Sequence, residues 1–385
     1  MLRKIKKRLI KLSLCHKFVT QKYYGSCPAV TQLLLEPNMF VANPKNRLVR
    51  QSFKSFSLSL IALSFTMPVA AQAVDVDIYG RAHVSVDVLG DGSDYGLNLS
   101  SNASRIGFRA NHRIHDNIEV IMQLEQKVNF DERGGEFATR DSYVGLRGNW
   151  GQVRFGSFDT PGKLLRAKAD VFNDRLGDLR NIASGDNMSF DPRFRNSIHY
   201  RSPAFYNTTF DIQYSPHNET GSTRDNQLQA ISVGVNYSKD RLWLGAVYEM
   251  NQLETRDPTA IRLGGSYQFT DAWQGMAFYQ HASDIAFGDR DVFGGGTKYR
   301  FGDYAVMGQI YHSTDNDLDD TGATMLAVGF DFYVTKDFTL YTILGVTDND
   351  QLAGFSVSAG GRDTQLFPEL GNTASGLSMG LIYNF

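Results

Sequence analysis

Apolar and polar residues alternate along most of the chain with a period of two. The clearest stretch opens at Val74. Val74, Val76, Ile78, Gly80, Ala82, Val84, Val86 and Val88 fall on one face, and Asp75, Asp77, Tyr79, Arg81, His83, Ser85 and Asp87 on the other. This is the mark of a β-strand lying between two different environments. Similar segments recur at 105–111, 118–128, 142–147, 153–158, 195–201, 209–214, 231–238 and 242–250. They continue at 261–269, 273–280, 292–301, 304–312, 326–333, 338–346 and 377–385, which with the first makes sixteen strands.

The connections fall into two groups. Those at 149–152, 239–241 and 336–337 are short, and those at 129–139, 215–230, 281–291, 313–325 and 347–376 are long. Short turns on one side and long loops on the other predict an all-β fold, a transmembrane 16-stranded antiparallel up-and-down β-barrel. An even strand number brings both ends of the sheet to one rim. Charged residues share the non-apolar parity, as Arg262 does opposite Ile261 and Leu263. A Lys or Arg facing lipid at the midplane costs ~2–4 kcal/mol, so the polar face is expected to be wet and to line a channel. A soluble sandwich would alternate in the same way. Segments 273–280 and 304–312 alternate too poorly for their faces to be assigned.

Charge divides the chain and favours the barrel. Residues 1–73 hold 12 of the Lys/Arg residues against one acid, and 74–385 hold 27 against 40. Within 45–73, Lys45, Arg47, Arg50 and Lys54 precede an apolar stretch that ends in Ala71-Gln72-Ala73. This is the form of a cleavable export signal, so 45–73 is read as a signal peptide and 74–385 as the barrel. Residues 1–44 are read as an upstream extension or start-site artefact, with translation beginning near Met39. Both cysteines, Cys15 and Cys27, fall in the first part, so the exported part has no disulfide to rely on. No apolar run approaches the ~20 residues that a transmembrane helix needs.

The longest interruption between early strands is 159–194, a length that points to function. Within it Asp170, Asp174 and Asp178 are spaced i, i+4, i+8 and would share one face of a helix. The last strand carries Leu377, Met379, Leu381, Tyr383 and Phe385 at spacing two.

Several segments resemble the general (non-specific) Gram-negative bacterial porin family. They are V-D-I-Y-G-R from Val76, S-R-I-G-F-R from Ser104, T-R-D-S-Y-V-G-L-R-G from Thr139, G-Q-V-R-F-G-S-F-D-T-P from Gly151 and R-N-S-I-H-Y-R-S-P from Arg195. The resemblance implies an outer-membrane homotrimer whose long third loop folds into the pore and constricts it. It implies passive diffusion of small hydrophilic solutes and ions. It matches Arg81, Arg105, Arg140 and Arg195 to a basic pore wall, and Asp170, Asp174 and Asp178 to the facing acids of the loop. Arg175 and Arg180 sit among those acids as a departure from the pattern. Tyr383 and Phe385 would form the signal read by the outer-membrane assembly machinery, and lipid and lipopolysaccharide would surround the barrel.

Other chemistry is sparse. Asp315-Asn316-Asp317-Leu318-Asp319-Asp320 lacks the glycine and the final carboxylate of a calcium loop. No histidine of 74–385 lies in a G-x-S-x-G nucleophile motif. The sequence therefore assigns no enzymatic activity, cofactor, metal or nucleic-acid partner. A substrate-specific channel, and a barrel-borne enzyme or adhesin, are the competing readings.

Overall fold

A computed structural model describes residues 74–132, 137–186, 188–218 and 228–385. The signal peptide and upstream extension expected over 1–73 lie outside the described residues.

Among the described residues, seventeen strand segments form one antiparallel sheet. They are β1 (Asp75–Gly90), β2 (Tyr95–Ser101), β3 (Arg105–His115), β4 (Ile118–Lys127), β5 (Ser142–Gly148), β6 (Gly151–Asp159), β7 (Arg193–Arg201), β8 (Thr208–Ser215) and β9 (Ala230–Lys239). After them come β10 (Leu242–Asn251), β11 (Thr259–Gln268), β12 (Trp273–Ile285), β13 (Gly288–Phe301), β14 (Tyr304–Ser313), β15 (Ala323–Tyr333), β16 (Phe338–Asn349) and β17 (Ala374–Asn384). β2 and β3 share one position in the barrel. The lower half of β1 pairs with β3 and its upper half with β2. Between them the chain kinks at Asn102–Ser104, where Ser104 Oγ and the Asn102 N–H both donate to the His83 carbonyl. The result is the expected sixteen-stranded barrel. The short segment β2, bounded by Gly, Ser and Asp residues, had no strand signal strong enough to read.

The barrel closes by pairing β1 with β17, from Arg81↔Asn384 to Gly90↔Ser375. Closure leaves no strand edge, which lets a sheet survive in lipid. At the seam, Gly80 and Phe385 exchange both backbone hydrogen bonds, at 2.8 and 3.1 Å. A Cβ on Gly80 would fall 2.3 Å from the Phe385 ring, so only glycine admits the aromatic there.

Side-chain exposure is inverted relative to a soluble sandwich. Outward residues such as Ile310 and Leu344 are 53% and 56% exposed, whereas Asp87, Gln213, Arg262 and Asp331 face inward and are buried. Around the short-turn rim, Phe269 stacks on Trp273 at 4.5 Å, and Tyr299, Phe301, Tyr304 and Phe332 form a second chain of ring contacts. Such a girdle belongs at a membrane interface. Among the described residues, no helix is long and apolar enough to cross a membrane.

Along β12 to β14 the structure differs from the sequence reading in two ways. Residues 281–291, expected as a long loop, are mostly strand. β12 runs to Ile285 and β13 starts at Gly288, with a register slip between Ala282 and Ile285. The lumen is also partly a packed core. Inward-facing Phe278, Met307 and Tyr311 are buried beneath the chain between β6 and β7. Apolar residues then occupy both parities of β12 and β14, which is why 273–280 and 304–312 alternate poorly.

Candidate functional site

The connection from β6 to β7 lies inside the barrel. It opens with α1 (Pro161–Ala169), capped by Thr160 Oγ1, which accepts from the Lys163 N–H, with Pro161 in the first turn where a missing N–H costs nothing. A single turn, α2 (Arg180–Ala183), follows. Leu165, Ala169, Leu179 and Ile182 pack on Trp243, Val247, Phe278 and Tyr311, and Phe172 and Leu176 pack on Met307, Ala327, Tyr341 and Ile343. Gly264 gives α1 room on the wall, since a Cβ there would sit 2.9 Å from Leu165 Cδ2. Each fully buried Leu or Phe contributes about 1.5–3 kcal/mol.

Polar contacts complete the docking. Arg262 of β11 donates from Nη1 to the Phe190 carbonyl (2.6 Å) and to Asp191 Oδ1 (3.1 Å), and from Nε to Gln280 Oε1 (2.9 Å). Tyr311 Oη donates to the Ala169 carbonyl, and Gln309 Nε2 to the Gly177 carbonyl.

The three loop aspartates do not share a helical face. α1 ends at Ala169, and Asp174 has a left-handed backbone, φ 63°. Asp170 and Asp178 turn away from the lumen and are completely enclosed. Arg166 Nη1 lies 3.1 Å from Asp170 and 3.4 Å from Asp178, and Arg180 Nη2 lies 2.6 Å from Asp178. Of the three, only Asp174 reaches water, with 11% of its side chain exposed, and it lies 2.5 Å from Arg180 and 3.7 Å from Arg81. Burial alone would raise its carboxyl, but the charges of Arg180 and Arg81 override it and hold Asp174 far below the usual carboxylate range. Asp170 goes the other way, pushed up to about 8 by burial and then by the neighbouring Asp178.

Of the four wall arginines, Arg81 approaches the loop through Asp174, and Arg105 and Arg140 meet over Glu125 at 3.5 and 2.5 Å. Arg195 points elsewhere. Asn196 takes a left-handed backbone, φ 49°, and the β6–β7 register slips between Gly156 and Phe158. The extra residue reverses the parity, so Phe194 is buried and Arg195 is exposed. Arg193 joins the lumen cluster instead, 2.6 Å from Asp141 and 3.0 Å from Asp159. Arg193 is the first residue of β7 and shares the parity of Arg195, so alternation alone could not choose between them.

A cavity of about 320 Å³ opens between this wall and the loop. Eight basic residues line it against three carboxylates. Arg105, Lys127, Arg140, Lys163, Arg180 and Arg193 are among the first group, and the second is Asp159, Asp174 and Asp363.

The residues after β16 form a second inward segment that sequence reading treated as an ordinary outer loop. The Val357 carbonyl accepts from the Gly177 N–H and from Asn181 Nδ2, while Asn181 Oδ1 accepts from the N–H groups of Ala359 and Gly360. Arg362 forms an enclosed ion pair with Asp87 of β1, and Lys127 reaches Asp363 at 2.5 Å.

A closed sixteen-stranded barrel with an apolar belt, an aromatic rim and a charged lumen defines a transmembrane pore of the outer-membrane class. The family model for Gram-negative porins matches residues 57–352, and the chain belongs to that family and to the outer membrane. It is 30% identical over 168 residues to the major outer membrane protein P.IB of Neisseria sicca, covering 41% of this chain and 46% of that one. It is 25% identical over 283 residues to P.IB of Neisseria meningitidis, covering 68% and 83%. The chain spans about half the length of most of the curated relatives it matches. The solved anion-selective porin from Comamonas acidovorans shares the fold, with TM-score 0.70 at 22% identity over 81% of this chain and 100% of that one.

Proposed function

We propose that the chain forms a water-filled pore through which small hydrophilic solutes and ions diffuse passively, anions ahead of cations. The supporting observation is the excess of basic side chains around the lumen cavity. Arg81, Arg105, Arg140 and Arg193 act as the basic wall, and Asp174 as the one facing acid of the third loop. Opposed charges across a narrow waist orient water and favour solutes that can exchange hydrogen bonds with it. The Debye length at physiological salt is about 8 Å, so the wall charges are incompletely screened and bias ion choice. We assign the lumen no catalytic role and no cofactor.

The chain assembles as a homotrimer in lipid and lipopolysaccharide, with Tyr383 and Phe385 as its assembly signal. Residues 45–73 are removed on export. N-terminal sequencing of the purified protein should begin at Val74, and a mature chain beginning near Met1 would overturn that processing. Reversal potentials in planar bilayers under a potassium chloride gradient test the pore. An anion-preferring potential is expected, and a cation-preferring one or the absence of conductance rejects the reading.

A further inference from the structure

Three side chains on the outer wall are bonded in an order that the pore does not use. His281 and Ser283 lie two apart on β12 and project outward, while Gln280 and Ala282 between and beside them face inward and are buried. Asp291 of β13 stands opposite His281 in the register. His281 Nδ1 lies 2.9 Å from Asp291 Oδ1, and His281 Nε2 lies 3.0 Å from Ser283 Oγ. The Tyr279 hydroxyl donates to the same Asp291 oxygen at 2.8 Å.

The tautomer follows from the partners. An ionised carboxylate only accepts, so Asp291 holds the imidazole proton on Nδ1. Nε2 is then an acceptor, and the Ser283 hydroxyl donates to it. A hydroxyl aimed at a neutral histidine that is oriented by a carboxylate is the arrangement that activates serine for acyl transfer. A structural role accounts for less. The His281 and Asp291 side chains are 38% and 39% exposed, and ion pairs so exposed add little to stability.

The surroundings select the substrate. Ile261 stands opposite His281 on β11, and Phe293 stands opposite Tyr279 on β13, and both face outward. An acyl chain can lie along this apolar strip. Above it, the exposed polar turn residues Asp284 and Asp289 mark the edge of the belt. β12 ends at Ile285, so Ser283 lies about 7 Å below the strand end at ~3.3 Å per residue. Trp273 of the aromatic rim opens the same strand, and a spanning strand takes about 9–11 residues, which puts Ser283 at the opposite boundary between hydrocarbon and headgroups. The rim is the one that carries the long loops, so it faces the outer leaflet.

We infer that Ser283, His281 and Asp291 form a hydrolytic site on the lipid-facing wall for carboxylic esters of long-chain acyl groups in the outer leaflet. Ser283 Oγ attacks the ester carbonyl carbon and passes its proton to His281 Nε2. The carbon–oxygen bond to the alcohol breaks, and the alcohol leaves with that proton. Water then attacks the acyl-serine and gives a proton to Nε2. The acyl–Oγ bond breaks, and Oγ takes the proton back. One ester and one water yield one alcohol and one carboxylic acid, with Asp291 charged throughout.

The test uses the folded barrel in vesicles of phosphatidylethanolamine and in vesicles containing lipopolysaccharide, with free fatty acid as the readout. A long-chain alkyl sulfonyl fluoride is added separately to trap the nucleophile. Fatty acid release and a sulfonyl adduct located by mass spectrometry on Ser283 are expected, and the two vesicle types identify which lipid is cleaved. Ser283→Ala should remove the adduct and lower release by on the order of 10²-fold or more, with single-channel conductance unchanged. Asp291→Asn should lower kcat on a soluble long-chain ester and leave KM in place, which a purely structural pair would not do. Release equal in wild type and Ser283→Ala, or no release from either lipid, overturns the proposal.

Discussion

The two sides of the lumen follow different rules. The wall formed by β1 and β3 to β7 is open to the cavity and keeps its charges, with Arg81, Arg105, Lys127, Arg140 and Arg193 in or beside it. The wall formed by β10 to β16 is covered by the β6–β7 loop. Its inward residues include Trp243, Phe278, Met307, Tyr311 and Ile343, as in the core of a soluble protein. A pore wall is therefore polar only where water touches it. Where a loop replaces the water, the wall turns apolar, and charges such as Arg262 and Asp331 are held in ion pairs with the loop.

The covered side offers the sharpest way to break this contrast. Arg262 is completely buried and holds Asp191 and the Phe190 carbonyl. Removing one partner of such a pair costs about 3–5 kcal/mol, because the other charge is left enclosed and unpaired. Arg262→Ala should free the loop, lower the thermal midpoint and raise single-channel conductance. Unchanged conductance would mean that the apolar contacts alone hold the loop in place.

Arg362→Ala tests the second inward segment. It strands Asp87 in the wall of β1, but the backbone bonds from Asn181 and Gly177 to residues 357–360 persist. A smaller rise in conductance than for Arg262→Ala is expected in the same bilayer recordings.

The contrast between the two walls also explains what could be read from the sequence. Alternation is clean where one face meets lipid and the other meets water, as in β1, and there both the strand and its inward parity were legible. It fades in β12 and β14 because a distant segment supplies an apolar surface inside. The site was legible in part. Arg81, Arg105, Arg140 and Asp174 lie around one lumen, but parity cannot see the bulge at Asn196 that turns Arg195 outward, nor that Arg193, at the strand's first position, reaches the lumen cluster. Nor can spacing show that Arg166 and Arg180 enclose Asp170 and Asp178. The Ser283–His281–Asp291 order was invisible for a related reason. It is assembled across a hairpin, where no linear nucleophile motif would reveal it.

On the open side, the charges should act directly on ions. One unit charge about 4 Å from an ion in a water-like medium is worth about 1 kcal/mol, or about fivefold in partition. Arg105→Gln combined with Arg140→Gln removes two such charges and leaves Glu125 without either partner. The anion-to-cation permeability ratio should fall by several-fold, read from reversal potentials. Asp174→Asn should shift the ratio the other way and by less, because Arg180 and Arg81 already offset that carboxylate. Asp178→Asn should leave the potential in place, since Asp178 does not meet the lumen water.

The smallest effect expected is a pH dependence of loop docking. The Asp170 carboxyl titrates at about 8 in the folded protein against an ordinary value of 3.8. Below pH 3.8 it is protonated in both states. Between 3.8 and 8 the unfolded chain releases the proton and the docked loop retains it, so stability falls as pH rises. Above 8 both states are ionised and the loss is complete. Asp174 and Asp178, whose carboxyls are held low by Arg180 and their other partners, act in the opposite sense and lose their contribution only in acid. Thermal midpoints measured from pH 5 to 9 should therefore decline toward alkaline pH, and Asp170→Asn should flatten that decline. If the variant declines as steeply as the wild type, the pH dependence arises outside the enclosed aspartate pair.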